Sequence, residues 1–283
     1  RRHTRYPLVT GVQTCALPIS KANSPRAEKS DPFTSSLVDT LLPPDHPFRG
    51  KVHVLASASS TQDLARKSRD IPSVWAAEIQ TTGRGRQGHP WASDHPLGLW
   101  CSVLLEPTAP LLPLLSIVGS LAAADAVRGL TGLEPLLKWP NDLLVKNRKL
   151  AGLLVETVAR PGHLPLAILG LGLNLAQQAA DFPRELRPTA ISLRQACGRA
   201  VPRAQMLAAF LDALGTRLTQ SPEEIIGDFS LHWSQQGRTI RIRSGEQEFA
   251  GRADRVDESG HLCLHLPDGS TRSFASGETD FPA

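Results

Sequence analysis

The apolar positions of this chain fall into short alternating or continuous runs, separated by polar turns, which predict strands with a few helices between them. Residues 52–55 alternate and predict a strand. Ser59-Ser60-Thr61-Gln62-Asp63 follows, with a hydroxyl side chain at the cap and Asp63 in the first turn, and predicts a helix start. Residues 75–80 and 99–105 predict two more strands, the second fully buried. An alanine-rich stretch, 114–128, predicts a helix that Gly129 ends. Residues 136–139 lead into a turn at Pro140-Asn141-Asp142, and residues 143–145 and 149–156 predict a hairpin around Lys146-Asn147-Arg148. Residues 166–169 enter a glycine-rich strand, and helices are expected at 203–219 and 223–233. After Gly237 the pattern alternates again at 239–243, 251–256 and 261–266, with turns at Ser244-Gly245, Glu258-Ser259-Gly260 and Pro267-Asp268-Gly269. That tail predicts a small all-β module of roughly 45 residues. No repeat of solenoid period is present.

Composition narrows the class. The 283 residues are 41% hydrophobic and 20% charged, enough for a sizeable core in an ordinary globular protein. The net charge of +4 suggests a polyanionic partner until its position is considered. Residues 1–30 carry Arg1, Arg2, Arg5, Lys21, Arg26 and Lys29 against Glu28, a net of +5, which leaves −1 for the rest of the +4 chain. The basic balance therefore belongs to the N-terminal stretch and gives no support to nucleic-acid binding. Cys15, Cys101, Cys197 and Cys263 are widely spaced, which indicates neither a zinc site nor a disulfide framework and fits a reducing, cytoplasmic setting. The uncharged run 107–124 is broken by Pro110 and Pro113 and ended by Asp125, so a loop and a buried helix are expected there rather than a membrane span. Residues 1–20 show no period and resemble translated adapter sequence. They are expected to be loosely attached or disordered, with residues 21–35 a polar linker.

The chemistry concentrates in four segments. Gln80-Thr81-Thr82-Gly83-Arg84-Gly85-Arg86-Gln87-Gly88-His89-Pro90-Trp91 joins three glycines, two arginines and a tryptophan in one loop. Glycine allows close approach of backbone to ligand, arginine offers forked donors to phosphate or carboxylate, and tryptophan offers a flat face. Then come Lys138-Trp139-Pro140-Asn141-Asp142, Arg148-Lys149-Leu150-Ala151-Gly152-Leu153-Leu154-Val155-Glu156 and Gly170-Leu171-Gly172-Leu173-Asn174-Leu175. In this order the four resemble the biotin–protein ligases, which attach biotin to a lysine of carboxylase carrier domains, and the resemblance runs from about Val52 to the C-terminus.

The resemblance implies an α+β fold: a mixed β-sheet flanked by helices, of the class II synthetase-like type, followed by a small SH3-like β-barrel. With the reading of the N-terminal stretch above, the expected division is a non-native or disordered tail at 1–30, the catalytic domain at 31–235 and the C-terminal domain at 236–283. It implies ATP and biotin as substrates, Mg²⁺ as cofactor and a biotinyl-5′-AMP intermediate. The partner implied is the biotin carboxyl carrier domain of acetyl-CoA carboxylase or of another biotin-dependent carboxylase, with no nucleic acid and no membrane, and a homodimer is possible. Some family members carry an N-terminal helix-turn-helix. The few residues before the first strand, which include Pro32, Pro43, Pro44 and Pro47, leave no room for one in this chain.

By the same resemblance, Lys149, Arg84, Arg86 and Asp142 are the catalytic candidates. Ser60, Thr61, Gln80, Gly83, Arg84, Lys149, Gly152, Gly170 and Gly172 would bind biotin, the glycines forming a flat wall. Arg86, Trp91, Lys138, Asn141 and Asn174 would bind the nucleotide, and Asp142 would hold the metal or accept a proton from the incoming lysine. Each also has a plainer structural role: Ser60 and Thr61 suit a helix cap, Trp91 a loop anchor, Lys149 a hairpin end and Arg148 the surface. One position departs from the family pattern, where arginine usually stands at His89. A neutral imidazole is a weaker phosphate partner, so looser retention of the adenylate is expected. The competing readings are a lipoate–protein ligase of the same fold and a non-catalytic biotin or nucleotide sensor.

Overall fold

Two β-sheets organise the chain in the computed structural model, which describes residues 31–281. All elements below lie within one unit, Pro32–Ala283, and the expectations for residues 1–30 fall outside the described part. The first sheet holds β1 (Val52–Ala58), β2 (Ser73–Gln80), β3 (Gly98–Leu105), β4 (Leu136–Lys138), β5 (Asp142–Val145), β6 (Arg148–Arg160) and β7 (His163–Asn174). Their order across the sheet is β1-β2-β3-β7-β6-β5-β4. The β1–β2 pair is parallel and the other pairs are antiparallel, so the sheet is mixed. All eight residues of β3 are buried, as its unbroken apolar sequence requires of a strand covered on both faces.

The helices are α1 (Ser35–Leu41), α2 (Thr61–Lys67), α3 (Leu115–Thr131), α4 (Leu193–Cys197), α5 (Arg203–Arg217) and α6 (Pro222–His232). The long α3 packs against the sheet and against α5, with Gly119 set close over Leu169. The stretch Leu112–Thr131 is long and apolar enough to cross a membrane, but 67% of it is buried among the other elements, so it serves as the core helix. The short α2 packs on β2, β3 and β7.

Three expectations change. The core helix does not stop at Gly129 but runs to Thr131, where Gly132 adopts the left-handed conformation (φ 72°) and donates to the Arg128 carbonyl. An exposed glycine inside a helix costs about 1 kcal/mol, which the buried face of α3 outweighs. Residues 31–35 are not a polar linker, because Phe33 is buried in the core and Thr34 caps α1, its hydroxyl accepting from Leu37 N. The β5–β6 turn consists of Lys146 and Asn147 alone, both at positive φ (52° and 58°), and Arg148 already belongs to β6.

The second sheet holds β8 (Thr239–Ser244), β9 (Gln247–Val256), β10 (Leu262–His265), β11 (Thr271–Phe274) and β12 (Glu278–Asp280), ordered β11-β10-β9-β8-β12 and antiparallel throughout. Strands β11 and β12 are its two edges, so no hydrogen-bonded ring closes the expected barrel. Four hydrogen bonds join this sheet to the turn after β4. Trp139 N donates to Gln235 Oε1 at 2.9 Å, Gln235 Nε2 to Thr279 Oγ1 at 2.9 Å, Thr279 Oγ1 to the Trp139 carbonyl at 2.9 Å, and Trp139 Nε1 to the Gly260 carbonyl at 2.9 Å. Gln235 is fully buried and Thr279 almost so, and a satisfied polar network at such depth fixes geometry. The C-terminal sheet is thereby held against the turn that carries Asn141 and Asp142.

Candidate active site

Strand register builds the floor of a cleft of about 370 Å³ on the α2 side of the first sheet. Trp100 of β3, Gly172 of β7 and Gly152 of β6 form one cross-strand row, and Ser102, Gly170 and Leu154 form the next. The two glycines of the first row leave the sheet bare, and the indole of Trp91 lies on them. A Cβ at position 172 would stand 2.4 Å from Trp91 Cε2, and one at position 152 would stand 3.1 Å from Cζ3. At Gly170 the space is taken by Gln62, whose Nε2 donates to the Leu154 carbonyl at 3.0 Å. The glycine wall thus receives protein side chains, Trp91 and Gln62, as well as bordering the open cleft.

At the inner end, Ser60 occupies the cap position of α2 but makes no side-chain cap bond, which leaves its buried hydroxyl facing the cleft wall. Thr61 is tied down: its hydroxyl donates to Gln80 Oε1 at 3.1 Å and lies 2.7 Å from Ser102 Oγ. Gln80 also accepts from Thr61 N at 2.8 Å and donates to Ser93 Oγ at 3.2 Å. The helix start and the end of β2 therefore hold each other in place around the cleft.

The glycine–arginine loop is a tight hairpin. Trp91 N donates to the Gly83 carbonyl at 2.9 Å and Gly85 N to the His89 carbonyl at 2.7 Å, with Gln87 and Gly88 at positive φ at its tip. Gly83 alone among the predicted site residues does not line the cleft: a Cβ there would lie 2.7 Å from the Trp91 carbonyl, so glycine is needed to close the hairpin. The two arginines point to different partners. Arg86 Nη1 donates to Asn141 Oδ1 and to the Gly277 carbonyl, both at 3.3 Å. Burial pulls its pKa below the usual guanidinium value, against the charges of Asp142 and Glu278, which raise it. Its hydrogen-bond partners are neutral oxygens, so this partly desolvated cation is poised for an anion. Arg84 also borders the cleft, but its guanidinium is engaged by carboxylates: Nη2 to Asp63 Oδ1 at 2.7 Å and Nε to Glu156 Oε1 at 3.4 Å.

Lys149 extends under Trp91, with Nζ 5.4 Å from the ring centroid and 2.7 Å from Asp142 Oδ1. Its backbone is gripped from the side, Lys149 N donating to the Thr189 carbonyl at 2.6 Å and Ile191 N to the Lys149 carbonyl at 2.9 Å. Lys138 Nζ lies 3.4 Å from Asp280 Oδ1. Asn141 Nδ2 donates to the Leu153 carbonyl at 2.6 Å. Asn174 is buried with its amide in use, Nδ2 donating to the Ile191 carbonyl at 3.2 Å and Oδ1 accepting from Gln177 at 3.2 Å. Arg148 is no free surface residue: its guanidinium donates to the carbonyls of Ala190 at 3.0 Å and Arg187 at 3.2 Å.

Two walls went unforeseen. Phe182, Leu186, Thr189 and Ala190 line one side, and Gly277, Glu278, Thr279 and Asp280 another. The second comes from the edge strand of the C-terminal sheet, and His89 Nε2 meets Glu278 Oε1 there at 3.2 Å. Nothing local announces either wall, since both depend on long-range packing. Among the described residues no group of three or more His, Cys, Asp or Glu side chains is arranged to hold a metal ion.

A glycine-floored cleft where a lysine, a half-buried arginine and the start of a helix meet beside a glycine–arginine hairpin is suited to binding an anionic ligand with a flat ring. Residues 54–174 match the Biotin/lipoate A/B protein ligase family, and residues 237–281 match the Biotin protein ligase C terminal domain. The chain is 32% identical to the biotin–[acetyl-CoA-carboxylase] ligase of Mycobacterium tuberculosis over 245 residues, 82% of this chain and 89% of that one. It is 31% identical to the bifunctional ligase/repressor BirA of Bacillus subtilis over 230 residues, 79% of this chain and 71% of that one. Among solved structures, biotin protein ligase from Aquifex aeolicus in complex with biotin and ATP superposes with a TM-score of 0.71 at 26% identity, covering 81% of this chain and 97% of the other. The chain belongs to the biotin protein ligase family.

Proposed function

We propose that this chain is the ATP-dependent ligase that joins biotin to a lysine of a biotin carboxyl carrier protein through biotinyl-5′-AMP. The observation that carries the reading is the convergence of Lys149, Arg86 and the Trp91-covered glycine row on one cleft. In the first step a biotin carboxylate oxygen bonds to the α-phosphorus of ATP and the bond to pyrophosphate breaks. Negative charge grows on the phosphoryl oxygens, and preorganised cations stabilise it best where water is excluded. Lys149 and Arg86 supply those cations, Ser60, Thr61 and Gln80 the polar end for the ureido ring, and Gly152, Gly170 and Gly172 the floor. Trp91, Lys138, Asn141 and Asn174 form the nucleotide side. In the second step the carrier lysine, once deprotonated, attacks the acyl carbon, an amide forms and AMP leaves. Asp142, beside Lys149, accepts the proton.

Mg²⁺ fits this donor set. Such an ion is commonly held by one or two carboxylates together with substrate phosphates, and Asp142 lines the cleft beside Lys149, with Glu278 and Asp280 on the opposite wall paired to His89 and Lys138. When bound with ATP it offsets phosphate charge. Catalytic residues fall in 31–235 and a C-terminal domain in 236–283, whose β12 completes the nucleotide side. The free cysteines Cys101, Cys197 and Cys263 agree with a cytoplasmic setting. A C-terminal-domain match specific to biotin protein ligases and two relatives named as ligases favour biotin over lipoate and catalysis over sensing. The direct test is ATP–pyrophosphate exchange. Exchange that requires biotin supports the reading, and exchange that requires lipoate instead moves the chain to the sister activity.

A further inference from the structure

Arg84 is expected as a catalytic and biotin-binding residue, and in the structure its guanidinium is held by protein carboxylates. Its guanidinium spans two carboxylates from two elements: Asp63 on α2 at 2.7 Å and Glu156 on β6 at 3.4 Å. Arg66 of α2 holds the other oxygen of Glu156 at 2.7 Å, and Ser59 Oγ lies 3.4 Å from the other oxygen of Asp63. Thr82 adds two bonds on the same side, its N and Oγ1 donating to the Ser59 carbonyl at 2.9 and 3.0 Å. These contacts join the loop to the helix whose start borders the inner cleft and to the strand that carries Lys149 and Gly152. Each group favours the charged form of the other: the Arg84 hydrogen bond holds the Asp63 carboxyl below the usual carboxylate value, and Asp63 raises the Arg84 guanidinium.

A planar fork held by two carboxylates has little capacity left for a phosphate, and an incoming anion would face Asp63 and Glu156 as well. Arg86, whose partners are neutral oxygens, has that capacity. We propose that Asp63 and Glu156 are positioning residues that hold the glycine–arginine loop closed through Arg84, and that this clamp retains the acyl-adenylate in the cleft. The inference rests on the biotin-ligase reading for the identity of what is retained, while the clamp itself is a property of the ligand-free protein.

The two roles for Arg84 predict opposite signs. If it were an anion ligand, removing its competing carboxylates would free it and tighten the nucleotide. If it is a clamp, removing them opens the loop. The experiment uses the full chain with Asp63→Asn, Glu156→Gln and Arg84→Lys made separately, and Glu134→Gln as a control at an exposed partner of Arg128 away from the cleft. Two quantities are read: the rate at which preformed biotinyl-adenylate leaves the protein, and the rate of tryptic cleavage after Arg84 and Arg86 without ligand. Each carboxylate variant is expected to release adenylate about five-fold faster, the size of one partly exposed ion pair. Loop cleavage rises with it, while the single-turnover adenylation rate at saturating substrates changes less. Arg84→Lys behaves like the carboxylate variants, because one ammonium cannot span both partners. Release that slows or stays unchanged, with unchanged cleavage, overturns the clamp. If wild type makes no adenylate the ligase reading fails, and the cleavage rates alone then decide the clamp.

Discussion

Lys149 Nζ lies 2.7 Å from Asp142 Oδ1 beneath the indole of Trp91. The pair joins the end of a short hairpin to the strand beside it, because β5 and β6 bring Asp142 opposite Gly152, three residues along from the lysine. Without ligand each group neutralises the other. On the proposed reading, phosphates would take the ammonium and leave the carboxylate free for a metal ion or a proton.

Replacing Asp142 with Asn therefore has its largest effect on the second step. Single-turnover transfer from preformed biotinyl-adenylate to an apo carrier domain is expected to slow about 10²-fold, the usual worth of a positioned general base. An unchanged transfer rate would rule out the proton-acceptor role and leave Asp142 as a partner of Lys149 and metal only.

His89 reaches Glu278 rather than the cleft interior, at 3.2 Å and with the imidazole mostly exposed. Arginine there would pair with the same carboxylate through a permanent charge and tie the loop more firmly to β12. The His89→Arg variant should lose its adenylate about two- to five-fold more slowly, in keeping with an exposed ion pair. The dissociation rate measured by rapid dilution decides it, and no decrease would mean that histidine does not loosen the loop.

Gly172 has no room to change. A Cβ would stand 2.4 Å from the Trp91 ring, so the indole, which lines the cleft, would have to shift. Overpacking of this kind costs about 1–3 kcal/mol. Calorimetry on Gly172→Ala should show biotin affinity reduced by at least about tenfold. Full affinity would show that the glycine row does not shape the ligand site.

Cys101 borders the cleft yet should be chemically silent. Complete burial pushes its thiol up to about 12. At pH 8 that leaves roughly one thiolate in ten thousand. Because burial raises this pKa, reactivity grows only as pH climbs toward that value. Intact mass after iodoacetamide treatment at pH 8 is expected to show no adduct at Cys101 and full retention of ligation. Rapid modification in the native protein would contradict the burial.

How far the sequence carried this account depends on the range of each interaction. Local chemistry was readable: the start and acidic first turn of α2 and the continuous apolar β3 formed where their residue types place them, while Ser60 makes no cap bond and the hairpin turn is one residue shorter than expected. So was the convergence of the four motifs, since fourteen of the fifteen proposed site residues line one cleft and Gly83 stands just behind it. What escaped was set by distant contacts. Nothing near Arg84 reveals that Asp63 and Glu156 claim it. Strand β12 is three residues long, too short to show alternation, yet Glu278 and Asp280 reach the loop and Lys138. The core helix passed through Gly129 because tertiary burial outweighed propensity. Nothing lies within 4 Å of a Cβ there, so Gly129→Ala is expected to raise stability by about 0.5–1 kcal/mol in urea melts.

The most direct test is the intact mass of a purified apo carrier domain after incubation with this protein, biotin, ATP and Mg²⁺, beside tubes with Lys149→Ala or with lipoate. The account predicts a gain of one biotinyl group that requires ATP, falls sharply with Lys149→Ala and does not occur with lipoate. A gain with lipoate alone, or full biotinylation by Lys149→Ala, would contradict it.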